Sequence, residues 1–221
     1  MADMNKLLGQ LLGSGAAGGF AGGMAGGLAS NMLTSKKGRK LGKKALKMGG
    51  IAAVGALAYG AFQKYNSSQT TTAQPAPAAA PLQEAPAGSA FLPPKNDIAS
   101  EEKLGMALVR AMIAAARSDG TLDAQESQAI FQKIESLDLT AQEKDLLIQE
   151  MGRPVDMDAI VQSASSQELA AEIYIASLLA IDVDTVEEQS YLGMLAARLK
   201  LPRELVQEIH NQVDAQTAAG E

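Results

Sequence analysis

The stretch MGGIAAVGALAYGAF, residues 48–62, holds no charged side chain, and how it is read decides the architecture. The twelve residues before it, KKGRKLGKKALK at 36–47, include seven Lys or Arg. A basic patch abutting an apolar run is the pattern that orients a membrane segment. On that reading residues 48–65 form a short hydrophobic transmembrane helix. Lys43, Lys44 and Lys47 sit at one interface, and Tyr59, Phe62 and Tyr65 lie near the other. The uncharged run is shorter than the roughly 20 residues that cross a bilayer, so lysines would have to snorkel to lengthen it. The competing reading is a helix, amphipathic or buried, lying against something else.

Toward the N-terminus, residues 7–35 are also uncharged but very rich in Gly. Gly15, Gly19, Gly23 and Gly27 recur every four residues, and so do Gly18, Gly22 and Gly26. On a helix the two rows make one smooth stripe, suited to close helix approach and to a homo-oligomer. In water the same glycine content opposes a helix, which predicts a flexible leader instead. If only 48–65 spans, the basic run keeps the N-terminus in the cytoplasm. If both uncharged segments span, the basic run is the cytoplasmic loop. Either topology puts residues 66 onward on the outer side. If neither spans, the run at 36–47 still attracts anionic lipid. Nucleic acid is not the expected partner, because no aromatic side chain interleaves the run and no reading helix adjoins it.

Toward the C-terminus the chemistry changes. Residues 1–65 carry nine Lys/Arg against one acid, about +8, while residues 97–221 carry nine against 23 Asp/Glu, about −14. Such a split suggests an anionic surface for the first part and water for the second. Between them, residues 66–96 hold six of the eight prolines and read as a disordered Pro/Ala-rich linker. Phe91 and Leu92 are the linker residues expected to dock onto the domain that follows. The absence of Cys excludes disulfides and thiolate chemistry. Few aromatics and much Ala, Leu and Ile favour packed helices over sheets.

Residues 97–221 have a helical period. Leu104, Leu108, Met112 and Ala115 line one face. Helices are expected at 98–117, 124–136, 141–151, 157–164, 166–180, 186–199 and 202–215. Four starts fit a capping box: Asp123 with Glu126, Thr140 with Glu143, Ser165 with Glu168, and Thr185 with Glu188. Pro202 suits the first turn of the last helix. The fold class is therefore all-α: a bundle of about seven helices preceded by a Gly-rich leader, a short hydrophobic helix and a linker. A weak repeat places an acidic turn at Asp119 and another at Asp182, which suggests paired halves.

The run Ala-Arg-Ser-Asp119-Gly120-Thr-Leu-Asp123 with Glu126, echoed by Asp182-Val-Asp184 and Glu187-Glu188, resembles the TerB-like family of helical domains related to tellurite-resistance protein B. The likeness covers roughly 100–215. The whole layout looks like the YebE group of bacterial inner-membrane proteins. These resemblances imply a helical fold, an inner-membrane location with the C-terminal domain periplasmic, and an acidic metal site. They imply no catalysis.

The acidic turns are the one constellation with chemistry in it. Asp119, Asp123, Glu126, Asp182, Asp184 and Glu188 could supply hard oxygen ligands to a divalent cation, Ca²⁺ or Mg²⁺. The alternating ligands of an EF-hand are missing, and capping already accounts for Asp123, Glu126 and Glu188. His210, the sole His, is expected on the surface or half-buried, and Met106, Met112, Met151, Met157 and Met194 as core fillers. No phosphate loop, nucleophile elbow or dinucleotide fingerprint occurs. The expectation is a membrane-anchored, non-enzymatic interaction or sensory module with a lipid bilayer and an unidentified protein as partners. A metal-dependent hydrolase and a peripheral oligomeric scaffold without a span are the alternatives.

Overall fold

The computed structural model describes residues 3–13, 49–70, 83–118, 128, 131–132, 134–135, 137–181, 183 and 185–218. Among them lie eight helices: α1 (Met4–Gly13), α2 (Gly50–Thr70), α3 (Ile98–Ala116), α4 (Ala141–Gly152), α5 (Met157–Ser163), α6 (Gln167–Ala180), α7 (Val186–Arg198) and α8 (Arg203–Ala218). Residues 128, 131–132 and 134–135 are helical too, within the helix expected at 124–136. An isolated bridge between Ser89 and Leu92 is the one β feature of the described residues. The chain is all-α, as its composition and period predict.

The bundle is built around α6. Every residue from Ala170 to Ala180 is buried. A helix that is apolar all round must be enclosed on all sides. Here α3 covers one flank of α6 and α2 another, with α7 and α8 completing the shell. Local chemistry sets the helix ends. Thr140 and Thr185 each accept a hydrogen bond from the N3 amide, and Glu143 and Glu188 reach back to the N-cap amides. Two of the four expected boxes are therefore present. At the third site the cap moves by one residue. Ser166 accepts from the Leu169 amide, so N3 is Leu169 and Glu168 has no capping role in that box. Pro202 stands one residue before α8, and its carbonyl accepts the Val206 amide. The Asp123–Glu126 pair lies outside the described residues.

The expected span at 48–65 is corrected by this fold. Ile51, Val54, Leu57, Ala58 and Ala61 of α2 are fully buried or nearly so, as are Ala53 and Ala56. The helix is seated against α1, α6 and α8. Among the described residues no helix is long and apolar enough to cross a membrane. Burying a Leu or Ile side chain contributes about 1.5–3 kcal/mol wherever the apolar surroundings come from. Here protein side chains supply them. The small residues of α2 let neighbouring segments approach closely. A Cβ at Gly55 would stand 2.4 Å from the Phe91 carbonyl oxygen, and one at Gly60 would stand 2.7 Å from Nε2 of Gln212.

The leader contributes to the same core. Met4, Leu7, Leu8, Leu11 and Leu12 of α1 are buried, one hydrophobic face at helical spacing. Gly50 and Gly105 make room for them. A Cβ at Gly50 would meet Leu8 at 2.3 Å, and one at Gly105 would meet Met4 at 2.5 Å. Polar ties hold α1 in register. Asn5 accepts the Ile51 amide at 3.3 Å and donates to Glu101, and the Asp3 amide donates to Glu143 at 2.9 Å. Burial pulls the Glu143 carboxyl upward, but hydrogen bonds from Thr140 and the Asp3 backbone outweigh it and hold the group below its usual range. The Gly15–Gly27 stripe lies outside the described residues.

The disorder expected at 66–96 does not hold at either end: residues 66–70 continue α2, and residues 83–96 are ordered. Residues 83–96 form a strap over α2, with Ala85 and Phe91 buried. The Phe91 ring meets Tyr59 and Phe62 edge-on, at centroid distances of 5.6 and 5.2 Å. Such pairs contribute about 0.5–1.5 kcal/mol beyond burial. Phe91 thus docks as expected, but onto the helix before it in sequence. One hydrophobic cluster runs from Met4 through Val213.

Candidate functional site

The expected metal site cannot be assembled from the described residues. Asp119, Asp123, Glu126, Asp182 and Asp184 lie outside them. Glu188 is described, and its carboxylate is engaged in the α7 cap. It accepts the Thr185 amide at 3.1 Å and the Thr185 hydroxyl at 3.0 Å. Glu187 is exposed. Among the described residues no group of three or more His, Asp or Glu could hold a metal ion.

A different charged group is built where α3 crosses the end of α4. Glu150, in the last turn of α4, is buried. Arg110 of α3 approaches it along one edge of the guanidinium, with Nε 2.7 Å from Oε2 and Nη2 3.1 Å from Oε1. Arg153, just past α4, adds a single bond from Nη1 to Oε1 at 2.8 Å. The hydrogen-bonded Arg110 guanidinium holds the Glu150 carboxyl below its usual range, against the opposing effect of burial and with help from the Arg153 charge. Arg117, about two turns after Arg110 and the C-cap of α3, donates Nη1 to the carbonyls of Met151 and Arg153 at 3.2 and 2.8 Å. Three guanidiniums therefore tie down the free C-terminal end of α4, where its partial negative charge collects.

Beside this group lies a hollow of about 440 Å³. Its floor is Ile113 and Ala114 of α3 and Ile160 of α5. Arg110, Glu150 and Arg153 form one wall, and the segment from Pro154 to Asp156, with Ala159, forms the other. The volume is in the range of small-molecule sites, and so is the lining: apolar surface with a few polar groups, most of them on the Arg–Glu wall. The hollow exists because α4 and α5 are joined by only four residues, Arg153 to Asp156, two of which cannot continue a helix comfortably. Pro154 lacks an amide donor, and Asp156 turns back to cap α5 by accepting the Ala159 amide at 2.9 Å.

Two further polar groups are enclosed in the bundle. Glu172 of α6 is 1% exposed, and its Oε1 finds no hydrogen-bond partner. Burial, with a smaller contribution from the Glu168 charge, raises its pKa well above the ordinary carboxylate value. The Tyr174 hydroxyl lies 2.9 Å from Nε2 of His210, which is half-buried as expected. Burial pushes the Tyr174 phenol up to about 12, so it is a proton-bearing group at neutral pH.

The family model described as a protein of unknown function, DUF533, matches residues 7–213. The chain belongs to the DUF533 family. DUF533 is TerB-like, in agreement with the resemblance carried by the acidic turns. Its match begins within α1 and ends within α8, so it takes in α1, α2 and the strap together with the acidic helices. A DUF533-length core is thus also the length of the hydrophobic cluster. This chain is similar to an uncharacterized protein in the ampR 5' region of Yersinia enterocolitica, at 32% identity over 98 residues, which are 44% of this chain and 70% of that protein. No solved structure matches.

Sequence reasoning missed the Arg110–Glu150–Arg153 group because Arg110 lies 40 residues from Glu150 and all three sit in ordinary amphipathic contexts. Glu172 left a visible signal. It is the single charge in the stretch from Leu169 to Ile181, where every other residue is apolar apart from Tyr174 and Ser177.

Proposed function

We propose that this chain is a non-enzymatic helical interaction module that attaches peripherally to an anionic membrane surface through residues 36–47 and offers its acidic bundle to a protein partner. The observation that carries the reading is the use of α2. Its apolar side chains are consumed by the core, which leaves the adjoining Lys/Arg run as the membrane-directed feature. The run ends three residues before α2 begins, and Gly49, at φ 87°, packs against Asn5 of α1 at the junction. The cationic segment is therefore joined directly to the folded body. About seven basic residues near an anionic leaflet supply roughly 1 kcal/mol each, enough for reversible attachment. The likeness of the layout to the YebE group of inner-membrane proteins supports a membrane partner. The periplasmic placement needs a span to set sidedness and is not part of this proposal.

The test is co-sedimentation of the full chain with phosphatidylglycerol or phosphatidylcholine vesicles at low and high salt. Wild type should bind the anionic vesicles and be released by salt. A variant with the seven Lys/Arg of 36–47 changed to Gln should not bind. Equal binding to neutral vesicles, or resistance of the membrane-bound chain to alkaline carbonate, would overturn peripheral attachment.

A further inference from the structure

We propose that the hollow between α3, the 153–156 connection and α5 binds an aliphatic carboxylate, with the chain on Ile113, Ala114 and Ile160 and the head group on Arg153. The assignment is independent of membrane attachment and rests on the wall and floor of the hollow itself.

The wall holds an unequal charge count. Glu150 offers one carboxylate to two guanidiniums. Arg110 takes the two-point geometry, which is the stronger form of this pairing. Arg153 is left with one bond, and its side chain is 60% exposed. A guanidinium has five N–H donors in a fixed plane. One is used on Glu150, so donors of Arg153 are available to a second carboxylate without disturbing the Arg110–Glu150 pair.

The floor decides what the carboxylate is attached to. Ile113 and Ile160 are buried at 8% and 5% exposure and still border the hollow. Above them Val155 is 41% exposed, an apolar lip at the rim. Water in such a space has few partners away from the Arg–Glu wall, and a hydrocarbon chain displaces it favourably, at about 25 cal/mol for each Å² of apolar surface removed from water. Asp156 also lines the space, with Oδ1 engaged by the Ala159 amide. With it the lining carries two carboxylates against two guanidiniums, so a multiply charged head group is opposed and a monoanion is held by the donors Arg153 has left. A cationic amphiphile of the same length meets Arg153 and Arg110 and is disfavoured.

The experiment is a titration of the full chain, labelled at Ile δ1 methyls, with octanoate, octanol and octylammonium, followed by NMR. Octanoate should shift the Ile113 and Ile160 methyls in a saturable way, octanol more weakly, and octylammonium least. Arg153→Gln should weaken octanoate about tenfold, the loss of roughly 1.4 kcal/mol, and leave octanol unchanged. Ala159→Trp, which fills the space from the exposed side of α5, should weaken all three. If octanoate and octylammonium shift the methyls equally, or if Arg153→Gln binds octanoate like wild type, the head-group assignment is wrong. If none of the ligands shifts either methyl at about 10 mM, a concentration at which even affinities near −3 kcal/mol register, the site does not exist.

Discussion

Glu172 is a carboxyl that the fold encloses without giving Oε1 a partner, and replacing it with glutamine should change how stability depends on pH. The side chain is 1% exposed in the middle of α6, close to Gly55 of α2, and the charge that acts on it is that of Glu168, of the same sign. Burial therefore keeps its proton on to a pH well above the ordinary 4.5. In the unfolded chain the group loses that proton near its ordinary value. Between the two values the native state binds more protons than the unfolded one, so stability must fall as pH rises. The slope reaches about 1.4 kcal/mol per pH unit while the native carboxyl stays protonated. Below the unfolded value the effect vanishes. Glu150, whose pKa is lowered by Arg110, acts with the opposite sign and in a lower window, losing its contribution as pH falls through its depressed native value. Glu172→Gln removes the titration and keeps the shape. Its gain over wild type should be near zero at about pH 4.5, grow by roughly 1.4 kcal/mol per unit above that and level off once pH passes the raised native value, some 2–4 °C in Tm per kcal/mol for a chain of this size. Urea or thermal melts of both proteins at several pH values, read as the difference between them, measure this directly. Parallel stability curves from about pH 5 to pH 7 would show that Glu172 is ionised in the folded protein, and the account of its burial would be wrong.

The other predictions concern α2 and the caps. Leu57→Ala removes a fully buried side chain and should cost about 2–5 kcal/mol in urea unfolding; an unchanged transition would mean that α2 is not part of the cooperative core. Gly55→Ala sets a gain in helix propensity of about 1 kcal/mol against a Cβ 2.4 Å from the Phe91 carbonyl. The clash should win by about 1–3 kcal/mol, with faster proteolysis within 83–96, and a stabilised variant would refute the close approach. Thr185→Ala should cost about 1 kcal/mol through loss of the α7 capping box, whether or not Ca²⁺ or Mg²⁺ is present. A loss seen only with a cation added would return Glu188 to a metal site.

The helices were legible because their signals are local. Expected and observed ends agree to within about three residues for α3 to α8, and the Thr140 and Thr185 boxes form as read. A cap needs side chain and amide only three residues apart, so sequence contains both partners. The shift from Ser165 to Ser166 shows the limit: with two adjacent serines, the backbone decides which one turns to the helix. The candidate site was poorly legible. Five of the six expected acidic ligands lie outside the described residues, and Glu188 serves the cap. Arg110, Glu150 and Arg153 meet through the crossing of α3 and α4, which no local pattern encodes.

By itself the sequence determined that the chain is helical, where most helices start, and that residues 48–62 must leave water. Hydropathy measures that departure and nothing about its destination, because lipid and protein interiors are almost equally apolar. Only the tertiary structure decided that α2 goes into a protein core. The reason is geometric: Leu8, Glu172, Gln212 and the Phe91 strap close around its small residues from four separate segments of chain.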